Sequence, residues 1–373
     1  MRIAHVAPRG EQPWSGVLTV IVQLAAALAR RGHGVEVCQL HEWETSLFSE
    51  HIAELDRSGV HQIRIHEGSW WRLGQEVSRV VRANGAQLVH LHGGFNVSNT
   101  AVARALEVPY VFSPHSAYER VSLTRGRVRK AAYRILFERT MLRRASLVTA
   151  LTPAELDDVK AFGASGPFAI IPNGVTSSPP EADRGSVRQN LGVRGDRRLV
   201  VFVGRLDVWR KGLDRLIAGV AEAPEWHLAV IGPDHRGGLA RLRDMVRNHH
   251  IVDRVSLCGP LLGRRLQDTL AAADLFALMS RWEGLPMALL EALSHGTPAV
   301  VSPEVDRCVG VAAAGAGWST SSESLGGTLR SLTSMEDFQW ADYSRAAKQL
   351  SRRYDWEAVA DQYESAYERV LGS

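Results

Sequence analysis

Short apolar runs alternate with longer segments of helical pattern through the first half of the chain. The segment 17–30 is rich in helix-forming apolar residues and is followed by Gly32, so it predicts a helix that ends there. Short apolar runs predict buried strands at 3–7, 35–40, 87–92, 109–113 and 147–151. This alternation is typical of a parallel sheet covered by helices.

The second half of the chain repeats the alternation after a polar segment. A helix is predicted at 213–220, and strands at 199–203, 226–232, 255–257, 275–279 and 299–301. Residues 176–185, T-S-S-P-P-E-A-D-R-G, have the composition of a linker. We therefore predict an α/β protein with an N-terminal domain at 1–175, a linker at 176–196 and a C-terminal domain at 197–354. The tail at 355–373 predicts one amphipathic helix.

Length and composition agree with two globular domains. At 373 residues the chain exceeds one ordinary core, since about 150 residues per domain is usual. Hydrophobic residues make up 45% and charged residues 23%, and no stretch is apolar enough to cross a membrane. The N-terminus leads directly into a strand, which favours a protein without a signal peptide. Three separated cysteines without C-x-x-C spacing favour neither disulfides nor zinc, so we expect a cytoplasmic protein.

The stretch 280–301 carries two glutamates around the predicted start of a helix. Pro286 is tolerated at a helix start, and Gly296 ends the segment. Glu283 therefore lies on the loop before the helix, and Glu291 lies inside it. The free amides at a helix start favour an anion, while carboxylates accept hydrogen bonds from sugar hydroxyls. This combination favours a sugar nucleotide as the ligand.

Two cations follow the first strand of the second half. Gly204 and Arg205 end that strand, and Lys211 comes directly before the helix at 213–220. Arg205 and Lys211 on one loop can clamp a diphosphate and stabilise it as it departs. Asp214 is interpreted as a carboxylate at the helix start.

Together these motifs resemble the retaining GT-B glycosyltransferases of family 4. The resemblance rests on E-G-L-P-M-A-L-L-E-A, on G-R-L-x6-K-G-x-D and on the segment 171–175, and it covers nearly the whole chain. It implies two Rossmann-like domains facing across a cleft, with the C-terminal helix crossing back to the N-terminal domain. The implied reaction moves a hexose from a UDP- or GDP-sugar to a hydroxyl of a glycan, lipid-linked or small-molecule acceptor, with retention, in polysaccharide or glycoconjugate biosynthesis. No Asp-x-Asp motif is present, so we expect no metal and no other cofactor.

The resemblance also assigns roles to residues. Glu283 and His115 would hold the donor sugar, Glu291 would bind the ribose, and Arg205 with Lys211 would take up charge on the leaving diphosphate. The loop 256–261 would lie near the base. Further donor-binding positions implied by the resemblance or by backbone access are Gly16, Asn173, Gly204, Gly259, Gly284, Leu285, Met287 and Ala288.

Histidines occur at two predicted strand ends. In His90-Leu91-His92, strand alternation is taken to place one imidazole on each side of the sheet, so that the two do not share a metal. His92 is assigned to the cleft and His90 to the structure. His115 lies in a segment similar to the family's S-P-H-G, with Ser116 in place of the glycine.

Acceptor recognition is expected in the N-terminal domain. Ser15, Trp14 and His92 are the candidate acceptor residues there. Relatives often carry two adjacent glycines where this chain has Ser15 and Gly16. The tryptophans of this domain either stack on a sugar or lipid-linked acceptor or fill the core; they are Trp14, Trp43, Trp70 and Trp71.

The run from Arg125 to Arg144 is dense in basic residues. Arg127, Lys130 and Arg134 fall on one helical face, which either contacts an anionic membrane or is only solvated. Peripheral contact with the inner face of the membrane is therefore a hypothesis. Nucleic acid is not expected, because no aromatic residues are interleaved with the cations. Two other functions stay open, a GT-B sugar-nucleotide epimerase or hydrolase and a non-catalytic sugar-nucleotide binding protein.

Overall fold

The computed structural model describes residues 1–40, 43, 48–65, 69–118, 137–176 and 180–372, and of Trp70 and Trp71 it describes the backbone alone. The chain divides into two compact units. The N-terminal unit comprises Met1–Gly174 with Trp356–Ser373, and the C-terminal unit comprises Val175–Asp355. Each unit is a parallel sheet covered by helices, which confirms the predicted fold class of two Rossmann-like domains.

In the described part of the N-terminal unit, seven strands form one parallel sheet in the order β3-β2-β1-β4-β5-β6-β7. The strands are β1 (Arg2–Ala7), β2 (Gly34–Gln39), β3 (His61–Arg64), β4 (Leu88–His92), β5 (Tyr110–Ser113), β6 (Leu147–Ala150) and β7 (Phe168–Ile170). The helices before the domain boundary are α1 (Gly16–Arg30), α2 (Ser49–Arg57), α3 (Trp70–Ala83), α4 (Val97–Ala105), α5 (Arg139–Arg144) and α6 (Pro153–Phe162).

The core of the N-terminal unit lies between its sheet and these helices. Buried apolar residues from successive strands, such as Val6, Leu91 and Phe112, belong to one continuous cluster. Helix α1 is buried over most of its length, and the left-handed Gly32 follows it as the sequence predicts. Trp43 is also buried and stacks on Phe48, so it fills the core and is not available to an acceptor.

The described residues of the C-terminal unit form a six-stranded parallel sheet in the order β10-β9-β8-β11-β12-β13. Its strands are β8 (Arg198–Val203), β9 (Trp226–Ile231), β10 (Val255–Gly259), β11 (Leu275–Leu278), β12 (Ala299–Val301) and β13 (Gly317–Ser319). Its helices are α7 (Arg184–Asn190), α8 (Leu213–Ala221), α9 (Gly238–Asn248), α10 (Gly263–Ala272), α11 (Met287–Ser294), α12 (Pro303–Val309), α13 (Leu325–Thr333) and α14 (Asp337–Ser351).

Helix α7 lies inside the segment 176–196, which the sequence suggests is a linker. Asp183 caps the helix by accepting a hydrogen bond from the Ser186 amide. Arg184 and Arg188 then bind the buried carboxylate of Asp274 at 2.6 and 2.8 Å. These charge-assisted bonds attach this part of the segment to the C-terminal unit.

The C-terminal helix α15 (Trp356–Gly372) belongs to the N-terminal unit and packs on α1. Arg31, directly after α1, binds carboxylates spaced along one face of α15, at Glu357, Asp361 and Glu364. At the start of α15, a side chain on Gly174 would overlap the Trp356 ring, with its Cβ about 2.3 Å from a ring carbon. Of the helices described, none is both long and apolar enough to span a bilayer.

Both sheets reverse their strand order at one point, between β1 and β4 in the N-terminal unit and between β8 and β11 in the C-terminal unit. Open parallel sheets bind ligands beyond the carboxyl ends of the strands at such a point. The loops after these four strands are therefore the places where a site is expected.

Candidate active site

The loop after β8 and the end of β11 meet at Gly212. This residue caps α8 with a left-handed backbone, at φ 63°, and a Cβ there would lie 1.9 Å from the carbonyl oxygen of Met279. Only glycine combines that backbone conformation with so close an approach. Gly212 thereby lets the Arg205–Lys211 motif lie against the Glu283 motif, although the two are far apart in sequence.

Lys211 and Glu283 form a direct ion pair. The Nζ atom of Lys211 lies 2.6 Å from Oε1 of Glu283, and the Ser280 hydroxyl donates to the same oxygen at 2.6 Å. Burial acts to raise the pKa of Glu283, but the Lys211 charge, these two hydrogen bonds and the Arg210 charge together lower it. Glu283 is therefore ionised at neutral pH. Its second oxygen, Oε2, makes no hydrogen bond to any described residue and can accept further hydrogen bonds.

Glu291 lies inside α11, one helical turn after its start. Among the described residues its carboxyl group has no hydrogen-bonding or ionic partner, and burial raises its pKa to about 7. The helix begins at Met287 with Pro286 as its N-cap, one residue later than the sequence suggests, because the extended backbone of Pro286 is not helical. Within the described part of the chain, the amides of Met287 and Ala288 have no acceptor, as is usual at a helix start.

Arg205 lies exposed on the loop after β8. Gly204, just before it, contacts the neighbouring loop after β9, since a Cβ on Gly232 would lie 1.9 Å from the Gly204 carbonyl oxygen. Gly259 ends β10 in a left-handed conformation at φ 70°. Gly284 and Leu285 connect Glu283 to α11, and Leu285 is buried. The donor positions predicted in this unit thus lie at the carboxyl ends of β8, β10 and β11, in the loops after them, or in the first two turns of α11.

Two tryptophans and two arginines contact one another on the loops that carry Lys211 and Glu283. The sequence analysis did not identify these four residues. Arg281 binds both carboxylate oxygens of Asp214, at 2.9 and 2.7 Å, and lies 5.0 Å from the centre of the Trp209 ring. Arg210 lies 5.5 Å from the Trp282 ring, and the two indoles are 5.1 Å apart. The sequence signal for this cluster is the dipeptide Trp-Arg directly before Lys211 and the dipeptide Arg-Trp directly before Glu283. These contacts hold the two loops together, and Asp214 lies in the first turn of α8, in agreement with its interpretation as a carboxylate at the helix start.

Four histidines lie together at the carboxyl side of the sheet in the N-terminal unit. His5 Nδ1 lies 3.1 Å from His92 Nε2, and His92 Nδ1 lies 3.0 Å from His115 Nε2. His90 contacts the Tyr367 hydroxyl at 2.7 Å and Ser113 Oγ at 2.6 Å. Burial lowers the pKa of all four, to about 3 for His5 and about 4 for His115, so the rings are neutral.

The expectation that His90 and His92 point to opposite sides of the sheet is wrong. Their ring centres are 3.9 Å apart, because residues two positions apart in a strand face the same side. Ring nitrogens of His5, His90 and His92 come within 4.8 Å of one another, a spacing that could hold a metal ion. Both nitrogens of His90 and both of His92 already contact polar groups of the chain, however.

His115 and Ser116 both have left-handed backbones, with φ 52° and 60°. Glu155 holds this turn, since its carboxylate accepts hydrogen bonds from the Ser116 amide at 2.5 Å and the Leu151 amide at 2.7 Å. His115 Nδ1 is shielded from solvent and makes no hydrogen bond within the described residues. The turn therefore fixes the imidazole with one nitrogen left unused.

The other positions predicted in the N-terminal unit lie at its switch point or at its boundary. Gly16 is the first residue of α1, with Ser15 as its N-cap and Trp14 37% exposed before it. Ser15 donates a hydrogen bond to Glu11. Asn173 is buried, and no described residue bonds to its Oδ1 atom.

The basic run from Arg125 to Arg144 is described only in part. Arg127, Lys130 and Arg134 lie outside the described residues. The end of the run forms α5, where Met141 and Leu142 are buried. The arginines of this helix are solvent-exposed; they are Arg139, Arg143 and Arg144.

Two family models match the chain. The model "Glycosyltransferase Family 4" matches residues 14–178, and the model "Glycosyl transferases group 1" matches residues 183–346. One curated relative is the D-inositol 3-phosphate glycosyltransferase of Xylanimonas cellulosilytica, 26% identical over 99% of this chain and 97% of its own length. Another is the GDP-mannose:cellobiosyl-diphosphopolyprenol alpha-mannosyltransferase of Xanthomonas campestris, 25% identical over 100% of this chain and 98% of its own length.

Solved structures share the fold over the full chain. The sucrose-phosphate synthase of Thermosynechococcus elongatus aligns with a TM-score of 0.78 at 19% identity and covers 100% of this chain and 99% of its own. Anabaena HepE in complex with UDP-glucose aligns with a TM-score of 0.79 at 19% identity, over 99% of this chain and 100% of its own. At these identities the likeness concerns the fold alone.

Proposed function

The chain belongs to glycosyltransferase family 4, and from that premise we propose which of its residues carry out the transfer. The protein is a retaining glycosyltransferase that moves a sugar from a nucleoside diphosphate sugar to an acceptor hydroxyl. The epimerase or hydrolase and the non-catalytic binding protein are not favoured. Transfer requires groups that hold the sugar, bind the ribose and stabilise the leaving diphosphate.

The observation that carries the proposal is the Lys211–Glu283 ion pair at the switch point of the C-terminal unit, with its 2.6 Å contact. Glu283 is ionised and keeps Oε2 free of described partners, so it can accept hydrogen bonds from sugar hydroxyls. Lys211 has three N–H donors and can bind a phosphate oxygen while it remains bound to Glu283. One ion pair therefore links the sugar to the leaving group.

Charge develops on the diphosphate as the sugar leaves, and fixed donors stabilise it. Arg205 and Lys211 supply two positive charges from the loop after β8. The amides of Met287 and Ala288 supply unused donors at the positive end of α11. Donors already in place for the transition state lower the barrier because they need no rearrangement. We also propose that these groups replace a divalent metal, so that activity survives chelation.

Glu291 is proposed to bind the ribose. Its carboxyl group has no described partner and titrates near neutrality, so it can either accept from or donate to a ribose hydroxyl. Gly204, Gly259, Gly284 and Leu285 are proposed to contact the nucleotide through their backbones.

In the N-terminal unit, His115 is proposed to contact the donor sugar through its unused Nδ1 atom. His92 is wholly buried, and its two ring nitrogens lie within hydrogen-bond distance of His5 and His115, which supports contact with those rings over contact with an acceptor. We propose instead that it positions His115. Ser15 and Trp14 stay acceptor candidates, Gly16 and Asn173 stay donor candidates, and the membrane contact of the basic run stays a hypothesis.

Calorimetric titration tests the proposal. UDP, GDP, ADP and TDP are each titrated into the protein in the presence of a chelator, with an Arg205→Ala, Lys211→Ala double variant alongside. We expect one nucleotide to bind and the double variant to lose that binding. UDP and GDP are tried first, because Anabaena HepE is described with UDP-glucose and a relative is named for GDP-mannose. If no nucleotide binds, or if the double variant binds it equally well, the proposed site is wrong.

A further inference from the structure

A second loop runs beside the one that carries Arg205. The Leu206 amide donates to the Pro233 carbonyl oxygen at 3.0 Å, and Leu206 also forms a bridge with Asp234. Close backbone contact continues at both ends, since a Cβ on Gly232 or Gly238 would lie within 1.9 Å of a carbonyl oxygen of the Arg205 loop. The loop 232–238 after β9 is therefore fixed in place against that loop.

His235 is the histidine at the centre of this second loop, and its side chain is 28% exposed. Its Nε2 atom lies 3.9 Å from Oδ2 of Asp207, and Arg205 acts on it electrostatically. The other charged groups acting on it are Asp234 and Arg236 on its own loop. Asp234 is already engaged, because it accepts the Leu239 amide at 2.8 Å at the start of α9.

Without a ligand, the neutral form of the imidazole is favoured at neutral pH. Burial and the charges of Arg205 and Arg236 lower the pKa of His235, and they outweigh the opposite effect of Asp207 and Asp234. A diphosphate bound by Arg205 would place roughly two negative charges on the side of His235 from which the positive charge of Arg205 now acts. The sign of the local field then reverses, and the protonated ring becomes the favoured form.

We propose that His235 is a further donor-binding residue, whose ring takes up one proton from solvent as the nucleotide sugar binds and stabilises the diphosphate beside Arg205. This inference rests on the proposed function. It explains why a histidine is suited to this position. A permanent cation would repel Arg205 in the free protein, whereas His235 becomes charged only when the anion is present.

Donor affinity should accordingly rise as the pH falls. A group that binds a proton more tightly in the complex than in the free protein couples ligand binding to proton uptake. UDP-glucose and GDP-mannose are suitable probes, because their phosphate diesters do not titrate between about pH 6 and pH 8. Glu291 also titrates near neutrality, so the contribution of His235 is the difference between the wild type and a variant.

Each probe is titrated calorimetrically at pH 7 in two buffers of different ionisation enthalpy, which gives the number of protons taken up. The proteins are wild type, His235→Gln, His235→Lys and His249→Gln, the last being an exposed histidine of the same unit as control. Between pH 8 and pH 6 we expect the affinity of wild type for the probe to rise about three- to tenfold. His235→Gln should take up fewer protons and should lose most of this rise in affinity. His235→Lys should bind tightly with no such gain, and His249→Gln should match wild type.

Equal proton uptake by wild type and His235→Gln would overturn the inference. So would a uniform loss of affinity in His235→Gln that His235→Lys fails to restore, since that pattern indicates a structural role. If wild type binds neither probe, the proposed function itself fails, and this result is distinct from a failure of His235 alone.

Discussion

Replacing Glu283 by glutamine removes one negative charge while keeping the size of the side chain. Glu283 accepts hydrogen bonds from Lys211 and Ser280 through Oε1, which leaves Oε2 able to accept from two sugar hydroxyls. A hydrogen bond to a charged group contributes about 1.5–3 kcal/mol, so two such bonds contribute about 3–6 kcal/mol. At about 1.4 kcal/mol per factor of ten, Glu283→Gln should lower kcat/KM by roughly 10²- to 10⁴-fold.

The same change should hardly affect the nucleotide alone. UDP or GDP has no sugar for Glu283 to bind, and Lys211 is retained in the variant, so the dissociation constant should stay within about tenfold of wild type. The assay measures sugar transfer or donor consumption together with calorimetric nucleotide binding. Glu222→Gln is the matched control, since Glu222 is an exposed glutamate of the same unit that also pairs with an arginine. Unchanged turnover in Glu283→Gln, or a loss of nucleotide binding as large as the loss of turnover, would refute this reasoning.

Substitutions at three further positions test the structure around the site. Glu291→Gln should raise the melting temperature more at pH 8 than at pH 5. Burial raises the pKa of the Glu291 carboxyl group to about 7, so its ionisation above that pH destabilises the fold. Equal shifts of the melting temperature at both pH values would contradict this. Ser116→Gly should raise stability in denaturant unfolding by up to about 1 kcal/mol by relieving a left-handed backbone, whereas Ser116→Val should lower it, and the reverse order would be inconsistent with the turn. Gly212→Ala should cost at least about 3 kcal/mol in the same measurement because its Cβ meets the Met279 carbonyl, and a wild-type midpoint would exclude that contact.

The sequence was sufficient to predict the two Rossmann-like units and to place the candidate site residues on loops after their strands. Apolar runs of strand length revealed the parallel sheets, and the carboxyl ends of parallel strands gather at one edge. That rule brings Arg205, Lys211 and Glu283 to one edge although they come from different strands. It does not give side-chain contacts, so the 2.6 Å ion pair between Lys211 and Glu283 could be found only in the structure.

Other features were outside the reach of sequence reasoning because they depend on three-dimensional pairing. The Trp209–Arg281 and Arg210–Trp282 contacts join residues about 70 positions apart, and neither dipeptide alone indicates a partner. His235 lies beside the Arg205 loop only because β8 and β9 are neighbours in the sheet.

One sequence interpretation was wrong for an identifiable physical reason. His90 and His92 were placed on opposite faces, although a strand repeats every two residues and both rings lie on one face. The segment 176–196 has linker composition, yet part of it forms a short helix because Arg184 and Arg188 find the buried carboxylate of Asp274. In this segment a partner distant in sequence contributes to the local structure.

Hydrogen–deuterium exchange with and without a saturating nucleotide sugar tests most directly where the donor binds. The amides of Met287 and Ala288 are proposed to bind the diphosphate, and the loops after β8 and β11 are proposed to contact the donor. We therefore predict slower exchange on binding in peptides that cover residues 204–213 and 283–291. Protection confined to the N-terminal unit, or none in these two segments while the donor is fully bound, would contradict the assignment of the active site.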